Sequence, residues 1–506
     1  MSALDVLLLL ALATVPLALV GGSWRGGAVL LVVAYGAQGV ALLQCEPRAA
    51  PVVATLGNHL FGAALSWRYD AASWLLALLV VGAALTNAWS MAARAFAPAP
   101  WRAAPAPRAP LALALQVAAL LWLLGAGDML TFVFGWSMWL AVGPLCLSGA
   151  AAWREAHRAA LGATLLLGAC GLVLAQAGAF DLATLRAALP ALDAASLGLL
   201  GLLWGAAFAL KLGGAAPCDA PAGLLLRIVG TAVVFYGFTL WWLGPLAPQL
   251  STLALFGVRF QDGALALAAA LLLVPIYFAG RAPTLWSSLA WLGLAQLGYP
   301  WLGVLTGSAL GTAGALLHLF TDVLAHTALW LTLGIVAQAA GVRVPLTRAV
   351  VAIALLSLVG LPPCAGFVAK WLIWQSLSET LGFAAQAAMA LGWLGTAWAA
   401  YRVWRASWVP ASVPTVAVPA GLLAPALGLV ALLVLIGTLP GGALRWVAAA
   451  QAAWEWPVVR WHLGGVPAVI DMPWLALGGV ALGGLGAVLW RRRGSWTSRI
   501  LRLFSP

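Results

Sequence analysis

Lysine occurs twice in the 506-residue chain, at Lys211 and Lys370, and each lies inside apolar sequence, LLWGAAFALKLGG and LPPCAGFVAKWLIW. The other 23 basic residues are arginines, mostly in short polar connections. An ammonium at hydrocarbon depth is costly and can shed its proton when desolvated, whereas a guanidinium stays charged. The two lysines are therefore positions where a proton can be held and released. A second group lies in GALLHLFTDVLAHTALWLTLG, where His318, Asp322 and His326 fall one helical turn apart on one face. Histidine titrates near neutral pH, and a neighbouring carboxylate strengthens its hold on a proton. A lone histidine on an apolar face is usually satisfied core. Three titratable groups in line within one span resemble a proton relay. They could also ligate a metal, but no further ligand cluster accompanies them and a metal would block proton hopping, so neither metal nor other cofactor is expected.

Those residues need helices of a particular kind. GGAAP follows Lys211 and GLPPCAG precedes Lys370. Proline and glycine break helices, and a break at membrane depth is accepted only where protein or water satisfies the backbone. Breaks in two corresponding positions point to inverted repeats around an ion site. The plain alternative is that each lysine snorkels to the headgroups; two lysines in matching contexts weigh against it. Arg227 in LLLRIVGTAVVFYGF either pairs with Asp219 or faces the inner headgroups. Gln296 and Tyr299 in LAWLGLAQLGYP can order water. Asp70 reads as a helix cap, and Asp128, before the fifth span, as an outer-surface residue.

Composition fixes the setting. Hydrophobic residues make up 64% of the chain and charged residues 8%, far from a soluble domain. About fifteen runs are long enough to span a bilayer. They include 284–305, 347–376 and 473–490, while 50–66 reads as an extracytoplasmic loop or partial helix. The first run, Leu7 to Val20, lacks a basic segment before it and reads as a retained helix rather than a signal peptide. No soluble domain is expected; the longest polar connection, 439–472, carries Trp446, Trp454, Trp456 and Trp461, which suit a membrane interface. With the N-terminus outside, 16 arginines fall on inward connections, Arg154 and Arg158 among them, and six on outward ones. This favours an N-out, C-in arrangement. The arginines behind the net charge of +12 are scattered over separate loops, so no nucleic acid is expected. The five cysteines form no CxxC pair and read as small core residues.

SWRYDAASWLLALLV, LAWLGLAQLGYPWL, GALLHLFTDVLAHTALWLTLGIV and LSLVGLPPCAGFVAKWLIW, in this order over roughly residues 65–410, resemble signatures of the proton-conducting antiporter-like membrane subunits. These occur in respiratory complex I, membrane-bound hydrogenases and Mrp cation/proton antiporters. The resemblance implies an all-α polytopic membrane protein of about 14–15 transmembrane helices, with two inverted five-helix repeats and two discontinuous helices. Residues 1–109 would form N-terminal helices, 110–245 and 264–410 the two half-channel repeats, and 411–506 C-terminal helices with a basic tail. It places Lys211 and Lys370 in the discontinuous seventh and twelfth spans and His326 on the central relay, with Asp322 where a second histidine often sits. Ser137 stands where the family pairs a fifth-span glutamate with the seventh-span lysine. Asp128, nine residues earlier, lies about 180° around the helix and is a poor substitute. Arg227 takes the place of an eighth-span histidine. The C-terminal half-channel thus keeps its pattern and the N-terminal one departs from it.

The implied function is translocation of protons, or of a cation such as Na+ against protons, by one subunit of a hetero-oligomeric complex in the inner (plasma) membrane. The sequence carries no nucleotide, flavin or cluster motif, so any redox chemistry would belong to partner subunits. Two other readings stay open: the membrane subunit of a two-component inorganic-carbon uptake system, and a degenerate subunit that packs in the membrane without conducting.

Overall fold

The computed structural model describes residues 2–471 apart from 22–24, 48–50, 61–62, 100, 103–107, 147–148, 179–180, 214–220, 247–251, 253, 256, 340–343 and 408–414. The expected span at 473–490 and the basic tail lie outside the described residues. Among the described residues the chain is a bundle of helices with three small two-stranded hairpins. The first helices are α1 (Ala3–Gly21), α2 (Arg25–Gln44), α3 (Ala71–Phe96), α4 (Ala109–Leu124), α5 (Met129–Val142) and α6 (Gly149–Ala177). Then come α7 (Leu182–Ala188), α8 (Ala194–Gly213), α9 (Pro221–Phe238), the short α10 (Gly244–Leu246) and α11 (Phe260–Arg281). The second part holds α12 (Leu285–Gln296), α13 (Gly298–Leu305), α14 (Ala309–Gln338), α15 (Pro345–Val359), α16 (Ala365–Thr380), α17 (Gly382–Ala406), α18 (Ala420–Thr438) and α19 (Gly441–Ala453). Eight of the described helices are long and apolar enough to cross a membrane by length and composition. With no water in hydrocarbon to satisfy the backbone, the helix is the form such sequences take.

Local signals set the helix starts. Asp70 caps α3 by accepting from Ser73 N at 2.8 Å, as its position implied. Asp128 caps α5 through Thr131 N and Oγ1, both at 2.7 Å, and also accepts from Ser66 N and Oγ at 3.1 and 2.9 Å. It is buried, so it serves as an anchor rather than an outer-surface group. Ser66 belongs to the strand Ala63–Tyr69, which pairs antiparallel with Val52–Leu60. This hairpin replaces the loop or partial helix expected over 50–66. Its Val, Thr, Trp and Tyr favour an extended chain, and the Asp128 anchor holds it over the start of α5.

Two further runs and one connection differ in detail. The run 284–305 is two helices meeting at Leu297, and 347–376 divides into α15 and α16. Arg154 and Arg158, expected on an inward connection, lie in the early turns of α6, which begins at Gly149. In the connection after α18, Trp454 and Trp456 are buried and meet edge to face, with ring centroids 4.7 Å apart. Trp446 meets Trp74 at 4.7 Å and Trp461 is exposed, so packing rather than interface anchoring claims most of these rings.

The core is built around α14, whose residues are mostly buried between α13, α15, α16 and α18. Large rings seat against glycines on facing helices. A Cβ at Gly201 would lie 2.7 Å from Trp242, and one at Gly230 would lie 2.5 Å from Trp139. Close approach of rings to bare backbone is how apolar helices gain contact in a lipid-like solvent, where burial alone drives little association.

Candidate functional site

Lys370 is fully buried on the second turn of α16. Gly360 ends α15 in the left-handed region at φ 84°, and the chain passes through Leu361–Cys364 before α16 begins. This is the break that the GLPPCAG segment implied. Lys370 Nζ reaches back across it and donates to the Leu358 carbonyl oxygen at 2.6 Å. Carbonyls in a last helical turn are left without intrahelical partners and carry the negative end of the helix dipole. The same nitrogen lies 3.8 Å from the centroid of the Tyr299 ring. A Cβ at Gly360 would come within 2.8 Å of Lys370 Cδ and 2.9 Å of Trp393 Nε1, so glycine is required there for space as well as for φ.

Burying an ion costs several kcal/mol even after relaxation. A charged hydrogen bond returns about 1.5–3 kcal/mol, and a desolvated cation–π contact about 2 kcal/mol. Together these contacts offset part of the cost of holding an ammonium in the interior.

His318, Asp322 and His326 share one face of α14, as their spacing requires, and all three are buried. Asp322 Oδ1 lies 2.9 Å from His326 Nδ1. That ring nitrogen also faces the Asp322 carbonyl oxygen at 3.1 Å. His326 Nε2 and both ring nitrogens of His318 are buried without a protein hydrogen bond, as are both amide atoms of Gln296. Buried polar atoms are rarely left so; three of these five lie on the titratable face of α14, and others occur elsewhere in the bundle. Tyr299 joins the two groups. Its ring centroid is 5.2 Å from that of His318, and its hydroxyl pairs with Thr396 Oγ1 at 3.0 Å. Among the described residues, no three His, Cys, Asp or Glu side chains gather as a metal site would require.

The other lysine stands apart from this cluster. Lys211 ends α8, and the Gly- and Pro-rich segment after it lies outside the described residues. Its Nζ is 3.8 Å from Glu155 Oε1 on α6 and 4.2 Å from the Trp139 ring on α5. Sequence reading missed Glu155, which sits in the polar-looking stretch WREAHR. The recoverable signal was a lone acid on an otherwise basic helix start. Ser137 bonds its own helix, donating to Val133 O at 2.8 Å. It lines a cavity of about 370 Å³ against Ala156, Ala159, Ala160 and Ala163 of α6. Arg227 lies on α9, but its side chain and Asp219 are outside the described residues.

Residues 284–394, which carry the titratable face and Lys370, match the family described as NADH:quinone oxidoreductase/Mrp antiporter, transmembrane. The NADH-quinone oxidoreductase subunit N of Desulforudis audaxviator is 32% identical over 171 residues, covering 32% of this chain and 32% of that protein. The chain therefore matches about a third of that relative's length. The fold matches a chain of the Mrp complex from a Dietzia species at TM-score 0.76 and 20% identity, over 100% of this chain and 57% of that one. It matches a chain of respiratory complex I from Thermus thermophilus at TM-score 0.70 and 22% identity, over 88% of this chain and 99% of that one. At such identities the likeness is one of fold.

Proposed function

We propose that this chain, a divergent antiporter-like membrane subunit, moves protons, or a cation against protons, within a multisubunit membrane complex. Water-borne protons would reach Lys211 in the first half. Charge would then pass by His318, Asp322 and His326 to Lys370, with Gln296 ordering water beside the path. A charge arriving at one buried group changes the energy of the next, because such groups interact strongly at low dielectric. The driving reaction would come from partner subunits. The likeness to chains of the Mrp complex and of complex I supports such partners without naming them.

One observation carries the reading. A fully buried lysine sits at a helix break, held by a carbonyl and a ring, and that ring leans on a histidine of the titratable face. A lysine kept only for packing gains nothing from this arrangement, since a methionine would fill the volume without the cost of burying an ammonium. The test is proton movement into vesicles holding the assembled complex. Lys370→Ala is expected to lower the rate at least tenfold, and His326→Ala to lower it severalfold. Parent rates in both variants would leave a packing subunit that does not conduct.

A further inference from the structure

We infer that Glu155 on α6 is the carboxylate partner through which Lys211 takes part in translocation, so that the first half works from α6 rather than from the Ser137 position on α5. The inference rests on the translocation reading above and adds to it a residue that sequence reading did not find.

The geometry is specific. Glu155 is 8% exposed, and its Oε1 lies 3.8 Å from Lys211 Nζ. Its other oxygen, Oε2, is 3.6 Å from Arg158 Nη2, one turn along α6, and is buried without a hydrogen bond. The carboxylate is thus shared by two cations and tightly bonded to neither. Space has been made for it: Gly143 closes α5, and a Cβ there would fall 3.1 Å from both Glu155 Cγ and Oε1. The Trp139 ring centroid lies 4.2 Å from the same ammonium, and Gly230 on α9 seats that ring. Four helices therefore converge on one loosely held ion pair. A structural pair at this depth would favour short, bidentate contact, because desolvation is offset only by excellent geometry. A pair near 4 Å, with a spare oxygen, keeps attraction while leaving the carboxylate free to exchange between Lys211 and Arg158.

The test uses the assembled complex in vesicles. Glu155→Gln keeps the shape and removes the charge; it should slow proton movement at least tenfold, and Glu155→Asp should recover part of the loss. In Lys211→Ala the further change Glu155→Gln should cost less than twofold, because the glutamate acts through the lysine. Full additivity of the two changes would overturn the inference. So would a parent rate in Glu155→Gln while Lys370→Ala is slow, an outcome that spares the wider reading. Parent rates in both would remove the translocation reading and this inference with it. If Glu155→Gln fails to assemble, Glu155→Asp decides: assembly with a severalfold slower rate supports the pair, and assembly at the parent rate overturns it.

Discussion

Two ammonium groups enter the bundle in unlike company. Lys211 faces a carboxylate shared with an arginine, while Lys370 has a carbonyl and an aromatic face. Tyr299 is the residue on which this difference turns. Tyr299→Phe keeps the ring and loses only the bond to Thr396, so proton movement should stay within about twofold of the parent. Tyr299→Leu removes a contact worth about 2 kcal/mol, and transport should fall severalfold; equal rates in the leucine variant would make the ring a spacer. How much of this was legible differs from residue to residue. His318, Asp322 and His326 could be found because helical periodicity turns spacing into a shared face, and Lys370 because a lysine in an apolar run is rare. Gln296 and Tyr299 stood out only as polar groups in an apolar run, and the contact between Tyr299 and Lys370 needed the tertiary fold. Glu155 was hidden for a stronger reason. Its partner lies on another helix, and pairing across helices leaves no periodic trace.

At the scale of helices, composition gave the bundle and the Gly- and Pro-rich segment gave the break before α16. Hairpins were harder to read, because apolar strands and apolar helix fragments look alike over short lengths. The turn into α14 shows how a long buried helix is held. Gln451 on α19 donates to the Ala309 carbonyl at 2.8 Å and to Thr312 Oγ1 at 2.6 Å, and accepts from Val459 N at 3.0 Å. Ser308 caps the same helix and meets Ser376 of α16 at 2.6 Å. Gln451→Ala would strand Val459 N and remove two bonds onto the start of α14, at a cost of about 1–3 kcal/mol. The Tm of the purified complex in detergent should drop by several degrees, and an unchanged Tm would mean that α19 is not a clamp. Because α14 carries the titratable face, the same variant should also slow transport.

The whole molecule is an apolar bundle whose outer surface bears exposed Leu, Val, Phe and Trp side chains. Such a surface belongs against lipid or neighbouring subunits. The arginine distribution gives an expected orientation, with residue 506 in the cytoplasm. A fluorescent protein fused there should glow, and a periplasmic phosphatase fused at the same point should be silent; the reverse pattern would invert the assignment. Moving Arg154 and Arg158 into α6 keeps them at the same helix end, so the charge asymmetry survives that correction.

The rings seated on bare backbone have a bearing on how such a bundle can move. Trp242 against Gly201, and Trp139 against Gly230, act as pegs in fitted holes between neighbouring rods. Sliding one rod past another would lift each peg over a ridge of backbone. Under the proposed function, a bundle held this way would pass charge by reorienting side chains rather than by sliding its rods. Filling a single hole with a methyl group, 2.5–2.7 Å from the ring, should force the two rods apart and so lower the stability of the frame itself.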